Sequence, residues 1–198
     1  MNLALNETDL PVRLRLERPL TDDELMCFCA ANDVLRVERE PNGEILVMTP
    51  ANSKTSMMNF RICGLLYAWA EADGRGVGFD SSGGFTLPDT SMRNPDAAWM
   101  LKSRWQRTSD DDQSRFAPAC PDFILELRSP SDRLPVLQAK MQQWIANGAE
   151  VAWLIDPIEK AVTIYRPGQS SEHLVNPTSV QGTGPIAGFE LVLSRVWG

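Results

Sequence analysis

With 198 residues, 43% of them hydrophobic and 23% charged, the chain has the size and balance of one ordinary globular domain, which excludes fibrous and disordered classes. No apolar run approaches the roughly 18 residues that a membrane-spanning helix needs. The net charge of −7 excludes broad electrostatic gripping of nucleic acid, so any such binding has to come from a local basic cluster, a dimer cleft or metal ions in an acidic centre.

The opening MNLALNETDLPVRLRLERP lacks the basic start, apolar core and cleavage site of a secretory leader. Cys27, Cys29, Cys63 and Cys120 lack CxxC spacing, which predicts buried, reduced thiols in a cytoplasmic protein. Thr21-Asp22-Asp23-Glu24 is a capping box that starts a helix over 21–31. Alternation over 34–40, the turn Pro41-Asn42-Gly43 and alternation over 44–48 predict a β-hairpin. Met58, Ile62, Leu65, Leu66 and Trp69 form one helical stripe, so 53–73 is the longest predicted helix, with Gly74 as its C-terminal stop. Short strands follow at 77–80, 85–87 and 96–100, then an irregular polar excursion over 101–119. The aliphatic run 122–128 predicts a central strand. An amphipathic helix over 134–147, with Pro135 in its first turn and Gly148 after it, leads to paired strands at 151–155 and 160–165. The tail 168–198 is weakly patterned, with short strands at 173–175 and 190–193. This order predicts a single α/β domain, 1–198, with a mixed central sheet flanked by helices and a core over about 34–167.

The chemistry narrows by elimination. One histidine, His173, disfavours Ser-His-Asp or Cys-His catalysis and the usual zinc sites. No P-loop is present, and no GxGxxG follows a strand. Carboxylates remain, whose oxygens favour Mg²⁺ or Mn²⁺. Asp96, fixed by Pro95, opens one apolar strand; Glu126 sits among Ile124, Leu125 and Leu127 in another. A buried carboxylate has to meet a cation, and a metal, a basic neighbour or an exposed strand end all satisfy that demand. Asp122 shares the face of Glu126, but four residues at about 3.3 Å each separate them by roughly 13 Å, too far to share one ion about 2.1 Å from each ligand. Asp122 therefore reads as a turn residue at the strand start.

The segments Gly43-Glu44-Ile45-Leu46-Val47-Met48-Thr49-Pro50, Phe79-Asp80-Ser81-Ser82-Gly83-Gly84-Phe85-Thr86-Leu87-Pro88, Asn94-Pro95-Asp96-Ala97-Ala98-Trp99, Glu126-Leu127-Arg128-Ser129 and Lys140 through Pro157 occur in the order of the Uma-two family of restriction endonucleases, which the chain resembles over about 38–167. That family is a branch of the PD-(D/E)XK nucleases. The resemblance implies metal-dependent hydrolysis of phosphodiester bonds in nucleic acid, DNA above all. It gives Asp96 and Glu126 the role of Mg²⁺ ligands and Lys140 that of the catalytic lysine, displaced to the following helix. The customary lysine position holds Arg128, which stays protonated and serves as a phosphate contact rather than a base. Glu38, with Glu40 close by, is the candidate for an additional acid. Lys140 borders the apolar stripe of its helix and is also open to the plainer role of a surface lysine. A homodimer is expected because one small acidic domain has little surface for gripping a duplex. Two rival functions stand beside this one: a nuclease fold kept as an inactive binding or assembly module, and a carboxylate glycosidase, which would require stacked aromatics in a cleft, whereas Trp99, Trp105, Trp144 and Trp153 read mainly as core from their strand and helix spacings.

Overall fold

The computed structural model describes residues 11–197; the first ten residues, on which part of the argument against a leader rests, lie outside them. In chain order the elements are β1 (Val12–Leu14), α1 (Asp22–Ala30), β2 (Arg36–Arg39), β3 (Ile45–Met48), α2 (Ser53–Asp73), β4 (Gly76–Asp80), β5 (Phe85–Thr86), β6 (Met92–Arg93), β7 (Ala97–Leu101), α3 (Lys102–Trp105) and α4 (Asp110–Gln113). They continue with β8 (Phe123–Leu127), α5 (Leu134–Ala146), β9 (Val151–Asp156), β10 (Ala161–Tyr165), β11 (Glu172–Val175), β12 (Ser179–Gln181), β13 (Glu190–Val192) and α6 (Ser194–Trp197). These segments form two compact units, one from 11–51, 84–94 and 108–119, the other from 52–83, 95–107 and 120–197.

The first unit carries an antiparallel sheet in the order β1-β3-β2-β6-β5. The predicted hairpin is β2 and β3, in a register that pairs Val37 with Val47. Gly43, at φ +83°, makes the turn a side chain would strain, and its N–H bonds the Glu40 carbonyl. Leu25 and Phe28 of α1 pack with Val37, Ile45, Val47 and Met92. The capping box is present at both ends: Glu24 N–H donates to Thr21 Oγ1 and Thr21 N–H donates to Glu24 Oε2. The Arg18 guanidinium, helped by Thr21, holds the Glu24 carboxyl down to about 2.

The second unit carries the sheet β11-β10-β9-β8-β7-β4, in which only β8 and β9 run parallel. Helix α5 makes the connection between those two, as a parallel pair requires. Phe123, Leu125 and Leu127 alternate onto one face of β8 with Met58, Ile62 and Leu66 of α2 and with Trp153 and Ile155 of β9. Each such fully buried side chain contributes about 1.5–3 kcal/mol relative to exposure. Gly74 ends α2 at φ +68°, its N–H on the Ala70 carbonyl. A side chain at Gly76 would run into the Trp99 indole, which fills the space beside β4.

The mixed sheet flanked by helices matches the fold class that periodicity predicts. The differences lie in short elements. The excursion over 101–119 holds α3 and α4, four residues each, too short to show a helical period. The tail is not peripheral, because Val180, Ile186, Phe189, Leu191, Leu193 and Val196 all join the main core. Of the four cysteines, none of which is in a disulfide, only Cys120 is buried; Cys27 is exposed, unlike the buried set expected. No helix among the described residues is long and apolar enough to cross a membrane.

Candidate active site

The site candidates gather where β7 begins and β8 ends. Antiparallel pairing sets Ala97 opposite Leu125. The preceding Asp96 N–H also bonds to the Leu125 carbonyl, at 3.1 Å, so two residues face one, as in a β-bulge. Beside it, at the end of β8, Asp96 Oδ2 accepts the Leu127 N–H at 2.8 Å. A side-chain oxygen thus occupies the rung that a backbone carbonyl would fill, one residue from Glu126. Helix α2 fixes the same residue from behind: Asn59 Nδ2 donates to the Asp96 carbonyl at 3.1 Å and Cys63 Sγ does so at 3.6 Å. Burial, reinforced by the charges of Asp80 and Asp96, pushes the Cys63 thiol up to about 11.

Glu126 is 3% exposed and lies on the opposite face from Leu125 and Leu127, towards α5. That helix supplies both of its named partners. Lys140 Nζ stands 2.9 Å from Glu126 Oε1, and the indole N–H of Trp144 donates to the same oxygen at 2.9 Å. Lys140 and Trp144 are four residues apart, so they share one helix face. Just beyond, at the carboxyl ends of parallel β8 and β9, Arg128 pairs with Asp156 at 2.7 Å. The Arg128 Nε is buried with no hydrogen-bond partner.

Asp96, Glu126, Lys140 and Arg128 therefore all belong to the second unit. Glu38 belongs to the first, where it is buried, pairs with Arg93 at 3.1 Å and accepts the Asn94 N–H at 3.2 Å. Against the opposing effect of burial, Glu38 and Glu40 raise the Arg93 guanidinium above its ordinary range. Asp122 stands in the bend at the strand start, as expected, and its role there is structural: it is fully buried, bound by Arg104 and by the Leu101 N–H, because α3 brings an arginine over the strand start.

Two site neighbours escape a reading of periodicity alone. Trp144 counts as core by its spacing, yet its position four residues after Lys140 was a usable signal once Lys140 is aimed at Glu126. Asn59 sits on the Met58–Ile62 side of α2, and nothing in the sequence pairs it with Asp96. The tryptophans are packed as their spacings predict: Trp99, Trp144 and Trp153 are buried and Trp105 packs edge-on against Phe79 at 5.1 Å.

Among the described residues no group of three or more His, Cys, Asp or Glu side chains is gathered to hold a metal. Two carboxylates and the Leu127 carbonyl would offer a small all-oxygen donor set. That suits Mg²⁺, which keeps several of its waters, and it does not suit a structural zinc.

A mixed sheet with acids at the ends of two adjacent inner strands is the frame of a nuclease fold, and the comparisons agree. The crystal structure of a "putative nuclease belonging to DUF820" from Anabaena variabilis superposes with a TM-score of 0.72 at 20% identity, over 90% of this chain and 98% of that one. The model of the Uma2 family, described as "putative restriction endonuclease", matches residues 22–194, and the chain belongs to that family. No curated protein matches the sequence.

Proposed function

We propose that the chain is a metal-dependent endonuclease that hydrolyses phosphodiester bonds, with DNA as its substrate and Mg²⁺ or Mn²⁺ held by Asp96 and Glu126. The observation that supports this is that Asp96 Oδ2 accepts the N–H of Leu127, the residue after Glu126, so the two acids sit one residue apart along β8. When bound, a divalent ion supplies Lewis-acid polarisation of the scissile phosphate and a water of lowered pKa. The protein's own contribution begins with the carboxylates, held on buried strands in fixed geometry. Lys140, already beside Glu126, donates to charge developing on the phosphate. Arg128, at the carboxyl end of β8, adds a permanent positive charge that favours a phosphate there. A cytoplasmic homodimer would supply the surface that one acidic domain lacks.

Purified protein should nick or cut DNA only when Mg²⁺ or Mn²⁺ is present. Asp96→Ala and Glu126→Ala should each abolish cutting while leaving the unfolding transition cooperative. Undiminished cutting by either variant would sink the mechanism.

A second reading has its own observation. Glu126 already meets a lysine at 2.9 Å, and a closed ion pair of that kind is what a retired site, kept as a binding module, would hold. Titration with Mn²⁺ separates the two, since a retired site binds the ion no better than an Asp96→Asn variant does.

A further inference from the structure

Two donors converge on Glu126 Oε1, and they differ in kind. Lys140 is a charged group on a flexible stem, whereas Trp144 is a neutral ring, 0% exposed and closed in by the core. A cation arriving at Glu126 repels the ammonium but does not drive the neutral indole away. The lysine can swing away on its stem; the buried ring has no second place to go. The indole has a single N–H, and all of it is committed to this one oxygen.

We propose that Trp144 is a positioning residue of the metal centre, its indole N–H fixing the Glu126 carboxylate in the orientation that binds the ion. The inference rests on the metal-centre reading above and adds a residue to it. Its physical basis is general: donors behind a ligating carboxylate orient it and keep it ionised, and their loss costs 10–100-fold in metal affinity. The backbone of Trp144 has separate duties. Its carbonyl accepts the Ala149 N–H at 3.1 Å and the Cys120 thiol at 3.7 Å, contacts that any side chain at this position preserves. The ring atoms fill the core beneath β8, so shape and hydrogen bonding can be separated by chemistry.

The experiment uses the full chain with Trp144→Phe and, as a closer mimic, site-specific replacement of Trp144 by 3-benzothienylalanine. The latter keeps the bicyclic shape and puts sulfur where the N–H was. Mn²⁺ affinity is titrated by the electron-spin resonance of the free ion, and stability is measured separately in chelator. In parallel, the indole N–H resonance of Trp144, assigned by its loss in the Phe variant, is followed as Mg²⁺ is added to wild-type protein. The expected result is Mn²⁺ binding 10–100-fold weaker in the benzothienyl protein, an unchanged unfolding midpoint, and a wild-type indole resonance that moves with Mg²⁺. Equal Mn²⁺ affinity with and without the N–H overturns the positioning role while leaving the metal centre standing. Wild-type protein that binds no Mn²⁺ overturns both.

Discussion

A buried acid stands at each end of strand β8, and the two have different partners. At its start Asp122 meets Arg104 and the Leu101 N–H, a carboxylate matched by a guanidinium that never gives up its proton. At its finish Glu126 meets Lys140 and Trp144, and a second acid, Asp96, comes in on the neighbouring strand through the Leu127 N–H. The first arrangement holds two structural pieces together. The second holds Glu126 on a lysine and an indole, one residue from the backbone N–H that Asp96 accepts, and it is the arrangement on which the proposed metal centre rests. Burial alone does not distinguish them: Asp122 is 0% exposed and Glu126 3%. What differs is the kind of partner, a guanidinium and a backbone N–H at one end, an ammonium and an indole at the other.

The largest expected effect breaks the comparison if it fails. Glu126→Gln should drop DNA cleavage to background, whereas Asp122→Asn should retain activity per folded molecule, measured as initial nicking rate of supercoiled plasmid. Equal losses at both ends would mean that neither end is special. Next, Lys140→Met should lower kcat about 10²–10³-fold, the range found when one donor to a developing oxyanion is lost. Mn²⁺ affinity should not weaken in that variant, because a competing cation has been removed from Glu126. Weakened Mn²⁺ binding would instead make the lysine part of the scaffold.

At the other end the readout is stability. Arg104→Met strands the buried Asp122 charge and should cost about 3–5 kcal/mol. In a domain of this size that lowers Tm by on the order of 10 °C in calorimetry. A loss below about 1 kcal/mol would show that Asp122 is held by its backbone donor alone.

How much of this was legible in the sequence depended on element length. Helix α2 falls on the 53–73 span that its apolar stripe predicts, since five turns give periodicity room to show. Strand β7 starts at Ala97, one residue later than expected, because the Asp96 side chain takes over the ladder bond and ends regular pairing. The Asp122 partner was illegible for a related reason: Arg104 lies in a four-residue helix, and no local pattern says which acid it will cover. Lys140 could be aimed at Glu126 only through a family resemblance. Trp144 then followed by helical spacing but was hidden by the usual fate of tryptophan, which is core.

A smaller effect sharpens the Asp96 end. In protein whose other cysteines are serine, alkylation of Cys63 should accelerate with a midpoint near pH 11, mainly because of burial and to a lesser degree because of Asp80 and Asp96. The sign is fixed: nearby negative charge disfavours the thiolate, so Asp96→Asn should move that midpoint down. A midpoint indifferent to Asp96 would separate that carboxylate from the α2 side of the strand.

The account stands or falls on where a divalent ion goes. Crystals soaked in Mn²⁺ and measured for anomalous scattering should show one peak bonded to both Asp96 and Glu126 at about 2.1–2.2 Å, with Lys140 moved off the glutamate and the Trp144 indole still on it. A map with no peak there, and the Lys140–Glu126 pair unchanged at high Mn²⁺, would contradict it.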